Sequence, residues 1–137
     1  MPVRQWIEAD RRRIRAVVSG DVKLEDVLEA IDASVSDPDF EPGFDVLSDH
    51  SEVGAPMGTD QLKQMTAHLQ RLSRQLKDAR WAIVASKPVS YGMMRMLSVF
   101  AERVPMKVEV FHTPEEAEAW LAAPREESGL QEPPPAP

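Results

Sequence analysis

The chain has 137 residues, 42% of them hydrophobic and 28% charged, with a formal net charge of −7 and no cysteine. That length fits one domain around one buried core. The acidic balance argues against general nucleic-acid binding, which needs a basic face, and the lack of cysteine removes disulfides and thiolate metal sites.

A cysteine-free chain suits a reducing cytoplasm, the expected compartment. The opening MPVRQWIEADRRRIR lacks the apolar segment of a signal peptide. No apolar run approaches the roughly 20 residues of a membrane span.

Val3 to Ala9 and Arg13 to Ser19 read as strands joined by a tight turn at Asp10-Arg11. Ile14, Ala16 and Val18 alternate with Arg13, Arg15 and Val17, the period of a strand with one wetter face. So short a turn requires an antiparallel pair. Arg11, Arg12, Arg13 and Arg15 form a basic cluster, read first as a solvated turn and alternatively as a patch for an anion or an acidic partner.

Leu24, Val27, Leu28, Ile31 and Val35 follow helical spacing, so 24–36 is predicted to be an amphipathic helix. Ser36-Asp37-Pro38 stops it, because the residue before proline avoids helical angles. The loop that follows carries Phe40, expected to tuck against the domain.

Phe44 to Thr59, FDVLSDHSEVGAPMGT, organises the rest. Phe44, Val46 and Leu47 predict a short strand, and Asp49, His50, Ser51 and Glu52 follow at its C-terminal end. In an open α/β sheet, ligands and partners dock at that end. Thr59 is read as the N-cap of a long helix over 60–77. Its stripe of Leu62, Met65, Leu69, Leu72 and Leu76 predicts packing on the sheet, and leaves a partner helix, and so a homodimer, as the alternative.

Trp81 to Ala85, WAIVA, is apolar without alternation, as in a parallel strand buried on both faces. A helix is predicted over 89–103, with Met93, Met96, Leu97 and Phe100 on one face and Tyr91, Met94 and Val99 off it. Lys107 to Phe111 alternates charged and apolar residues, which suits an edge strand. Thr113-Pro114-Glu115-Glu116 is a strong helix start, and the last helix runs to about Ala122. Residues 123–137 are read as a disordered, proline-rich tail, and 1–122 as the domain. The order is β-β-α-β-α-β-α-β-α, an α/β fold. Four β-α units predict a five-stranded mixed sheet, mostly parallel, with one antiparallel leading strand and right-handed crossovers.

This order of elements resembles the STAS superfamily, the fold of the sporulation anti-sigma factor antagonist. The loop DPDFEPGFDVLSDHSEV, the segment SKPVSYGMMRML and the ending VFHTPEEAEAWL look like the bacterial SpoIIAA-like family within it, sometimes grouped with CRAL-TRIO lipid-transfer domains. The resemblance covers about residues 1 to 122, and its motifs are mostly packing and turn residues. STAS antagonists carry a phosphorylated serine in a D-S-S/T-G motif. Here that region reads Ala55-Pro56-Met57-Gly58-Thr59, so the motif is missing, and Ser51 and Thr59 are the nearest hydroxyls.

Asp49-His50-Ser51 holds the residue types of a hydrolase triad. Consecutive residues on an extended chain point to opposite faces, so they do not form the relay. There is no GxSxG elbow, no HExxH and no glycine-rich phosphate loop. The three histidines are scattered, so neither a metal nor a cofactor is expected. Met57, Met65, Met93, Met94, Met96 and Met106 are adaptable fillers of a core or of an apolar pocket. The expected function is a non-enzymatic binding module of the STAS kind. Its expected surface is Ser51, Glu52, Met57, Gly58 and Thr59 beside Tyr91, Gly92, Met94 and Arg95, docking a protein partner. The alternative is a carrier of a small, lipid-like apolar molecule.

Overall fold

The structure, a computed structural model, describes residues 3–124. The proline-rich tail expected from residue 123 lies, from residue 125 onward, outside those residues. One sheet holds five strands in sequence order: β1 (Val3–Glu8), β2 (Arg13–Asp21), β3 (Asp45–Ala55), β4 (Arg80–Val84) and β5 (Lys107–Phe111). β1 is antiparallel to β2, and every other pair is parallel.

Three helical connections carry the chain across the sheet in one direction: α1 (Leu24–Val35), then α2 (Thr59–Arg71) with the short α3 (Ser73–Leu76), then α4 (Pro88–Phe100). Right-handed crossovers taken in one direction place all three on the same face. The main core lies there, around Leu62, Ile83 and Leu97, each fully buried. The final helix, α5 (Pro114–Ala122), turns to the other face and covers Leu47, Ala82 and Val84 with Ala117 and Leu121. The expected capping box is present: the Glu116 amide donates to Thr113 Oγ1 at 3.2 Å, and Glu116 Oε1 accepts from the Thr113 amide at 3.3 Å.

Several boundaries differ from the sequence reading. β3 is not a short strand ending before Asp49; it runs on to Ala55. Its outer half pairs with β2 alone, because β4 stops at Val84 opposite Asp49. Two register irregularities accommodate the extension, the second beside Gly20, whose φ of +68° suits a residue without Cβ.

The helix predicted over 60–77 breaks at Leu72. Ser73 Oγ donates to the Gln70 carbonyl at 2.6 Å, a local bond that competes with the helical ladder. Thr59 is the first helical residue rather than the N-cap; Gly58 caps, and its amide donates to Gln61 Oε1 at 2.9 Å. On α4 the buried stripe is Ser90, Met94 and Leu97, continued by Ala101 just past its end, not the one through Met93, Met96 and Phe100, which is only half-buried.

The basic cluster is not simply a solvated turn. Arg13 is buried, donating to Glu8 at 2.7 Å and forming a fork with Glu118 of α5 at 2.8 and 3.0 Å. That fork holds the Glu118 carboxyl below its ordinary range. Arg12 reaches Glu41 at 3.1 Å and lies over the Phe44 ring. Phe40, the expected anchor of the loop, meets Phe44 edge to face at 5.6 Å.

Candidate functional site

Strand alternation decides which residues of β3 face α1, α2 and α4. Val46, Ser48 and His50 share that face; Leu47, Asp49 and Ser51 take the other. The apolar members of the first set continue the core. Ser48 and His50 are polar, yet both are buried.

Their burial is compensated locally. Trp81, on the neighbouring β4, donates its indole N–H to Ser48 Oγ at 2.8 Å. Ser48 Oγ lies 3.0 Å from His50 Nε2. An indole nitrogen only donates, and a hydroxyl has a single proton. The Ser48 hydroxyl has no other acceptor among the described residues, so it uses its proton when it donates to His50 Nε2, the tautomer with the imidazole proton on Nδ1. Burial pushes the His50 pKa down to about 4, against the opposing pull of the Asp49 carboxylate. The ring is therefore neutral at pH 7.

This polar string lies on the wall of a partly open, largely apolar cavity of about 100 Å³ between the sheet and α1, α2 and α4. Ile14, Ala16 and Val18 of β2 line one side. Met57, Met65, Leu69, Met94, Leu97 and Met106 line another. Four of the methionines that the sequence left between core and pocket thus border the space. α1 forms its roof with Val27, Ala30, Ile31 and Val35. None of α1's large apolar side chains is fully buried, whereas α2 buries Leu62, Met65 and Leu69. α1 is held to α2 by His68 and Asp32, whose Nε2 and Oδ1 are 2.7 Å apart.

The residues expected to form a rim divide into three groups. Met57 and Met94 are buried and face the cavity, so they offer no contact area at the surface. Glu52, Gly58, Thr59 and Gly92 are exposed, and Ser51 and Tyr91 half-buried. Thr59 reaches α4 one residue beyond the expected segment, its Oγ1 donating to Met96 Sδ at 3.5 Å. The Tyr91 ring stacks on His112 with centroids 4.0 Å apart. Ser51 is held by its own strand, its amide donating to Asp49 Oδ1 at 2.9 Å. Arg95 is not at the rim. Two turns along α4, it lines a shallow hollow with Ser98, Glu102, Lys107 and Glu109.

The sequence reading missed Ser48, His50 and Trp81 as a unit. The signal was the period-two rule carried through Ala55. A strand ended at Ser48 leaves His50 in a loop, with no face. Asp49, His50 and Ser51 make no triad, because His50 faces the core side of β3 and bonds Ser48, whereas Asp49 and Ser51 take the other face. Among the described residues, no group of three or more His, Asp or Glu side chains could hold a metal ion, and no helix is long and apolar enough to cross a membrane.

No family model matches the sequence, and no curated protein does. A solved structure does: an uncharacterised protein of the DUF3478 family with a SpoIIAA-like fold, from Shewanella loihica PV-4. The match covers 88% of this chain and 92% of that one, with a TM-score of 0.58 and 15% sequence identity. At that identity the likeness concerns the fold alone, and the fold of this chain is SpoIIAA-like.

Proposed function

We propose that this SpoIIAA-like chain is a non-enzymatic binding module that holds a small apolar molecule between its sheet and α1, α2 and α4. The cavity carries this reading. Protein interiors are close-packed, with few voids larger than a water molecule. A sealed apolar void of about 100 Å³ would cost about 2 kcal/mol, and this partly open one costs less. A ligand that fills it recovers that loss.

The size limits the occupant. An engineered cavity of about 150 Å³ takes up benzene. The space here suits a single ring or a short aliphatic chain rather than a whole long-chain lipid. Adaptable methionine side chains on the wall favour tolerance of ligand shape. A partner docked at the rim would meet few apolar anchors, since Met57 and Met94 turn inward.

Titration with cyclohexane, followed by methyl-resolved NMR, tests this reading. The methyl signals of Met57, Met65, Met94 and Met106 are expected to shift together and saturably. Unshifted signals up to the aqueous solubility limit would show that the space does not bind.

A further inference from the structure

We propose that the occupant is an uncharged molecule with one hydrogen-bond acceptor, a carbonyl or ether oxygen, that accepts from Nδ1–H of His50. This rests on the reading of the cavity as a binding site, and adds what that site recognises.

The Trp81–Ser48–His50 string has a direction. It starts at a donor-only indole and passes through a hydroxyl whose one proton has no other acceptor among the described residues, which assigns the His50 ring proton to Nδ1. That nitrogen makes no hydrogen bond to any described residue. His50 is 9% exposed, and it lines the cavity. Nδ1 keeps some accessible surface rather than being sealed among side chains, so an oxygen of the occupant can reach it and supply the acceptor that the described residues do not. Ser90 strengthens the case. It is 3% exposed, lines the same cavity, and its hydroxyl likewise bonds no described residue. The other lining hydroxyls are engaged: Ser34 donates to the Ala30 carbonyl at 2.8 Å, and Ser48 belongs to the string.

Charge narrows the class. His50 is the one ionisable side chain among the described residues that line the cavity. Burial keeps its imidazole neutral at pH 7. A carboxylate or phosphate there would be buried with no cation, which is strongly unfavourable. An aliphatic or cyclic ketone, aldehyde, ester or ether meets both demands: an apolar body for the methionine-lined wall, and one oxygen for the imidazole.

Three probes of similar size separate the outcomes at pH 7. Cyclohexanone has the acceptor, methylenecyclohexane replaces its oxygen with carbon, and cyclohexanecarboxylate carries a charge. Binding is followed by NMR on the full chain, together with the ring ¹⁵N and Nδ1–H resonances of His50. Cyclohexanone is expected to bind roughly 3- to 10-fold more tightly than methylenecyclohexane, the range for one added hydrogen bond. It is also expected to move the Nδ1–H signal, and cyclohexanecarboxylate to bind least. His50→Phe should abolish the preference for the ketone; if that variant does not fold, the wild-type ring resonances decide. Equal affinity for ketone and alkene with the His50 signals unmoved would overturn the inference and leave the apolar cavity reading intact. Tightest binding of the carboxylate would also overturn it. If none of the three binds, both readings fall.

Discussion

His50 joins the candidate site to the stability of the fold. Its folded pKa is about 4, against an ordinary value of 6.5. Below pH 6.5 the unfolded chain takes up a proton on this ring, and the folded chain resists doing so until about pH 4. Stability is therefore fully present above pH 6.5 and lost as the pH falls toward 4. The full shift corresponds to about 3 kcal/mol. Denaturant unfolding at pH 7.5 and pH 4.5 should show His50→Gln losing about 2 kcal/mol less than the wild type between the two. Equal losses would mean that the histidine is already hydrated in the folded state. The comparison cancels the carboxylates, which titrate in both proteins.

At the scale of elements, β4 and α5 are locked by one side chain. Arg80, at the start of β4, is buried and donates to Asp45 Oδ2 at 2.7 Å. It also donates to the carbonyls of Leu121 and Ala123 at 2.9 and 2.7 Å. It thus ties the C-terminal end of α5, where unpaired carbonyls accumulate, to a carboxylate at the start of β3. Arg80→Met would leave Asp45 and the α5 carbonyls without these donors. The expected cost is about 3 to 5 kcal/mol, as for a broken buried ion pair. Amide exchange in α5 should accelerate more than in α2, and uniform acceleration would count against a specific lock. Ile83, fully buried on the central β4, tests the strand itself. Ile83→Ala should cost about 2 to 5 kcal/mol in the same unfolding assay, and a loss under about 1 kcal/mol would contradict its burial.

The whole molecule sets a crowded half of one face against a loose one. α2 and α4 bury their apolar stripes, whereas the apolar face of α1 is only half-seated over the cavity. Ala16 of β2 lines that space, and a larger β-branched residue there would begin to fill it. Ala16→Val is expected to raise stability by about 0.5 to 2 kcal/mol, as cavity-filling changes do. It should also weaken the binding of cyclohexane. A destabilised protein with unchanged binding would show that the void is not where added volume goes.

Much of this was legible in the amino-acid order because it depends on local rules. Helical spacing placed α1, proline and the capping box placed α5, and the unbroken apolar run at Trp81 to Val84 identified a strand covered on both faces. The order of elements, through the handedness of crossovers, determined a mixed sheet with a single antiparallel pair. What the tertiary structure decided was the length of β3 and everything that hangs on it. Nothing local says that the strand continues past Asp49, because its outer half is held by β2 pairing across a long stretch of chain. That pairing gives His50 a face beside Ser48, and the pairing of β3 with β4 brings Trp81 within hydrogen-bond reach. The cavity is likewise invisible to periodicity. Spacing tells which side of α1 is apolar, but how closely that side settles on the sheet depends on tertiary neighbours such as α2, to which Asp32 and His68 tie it.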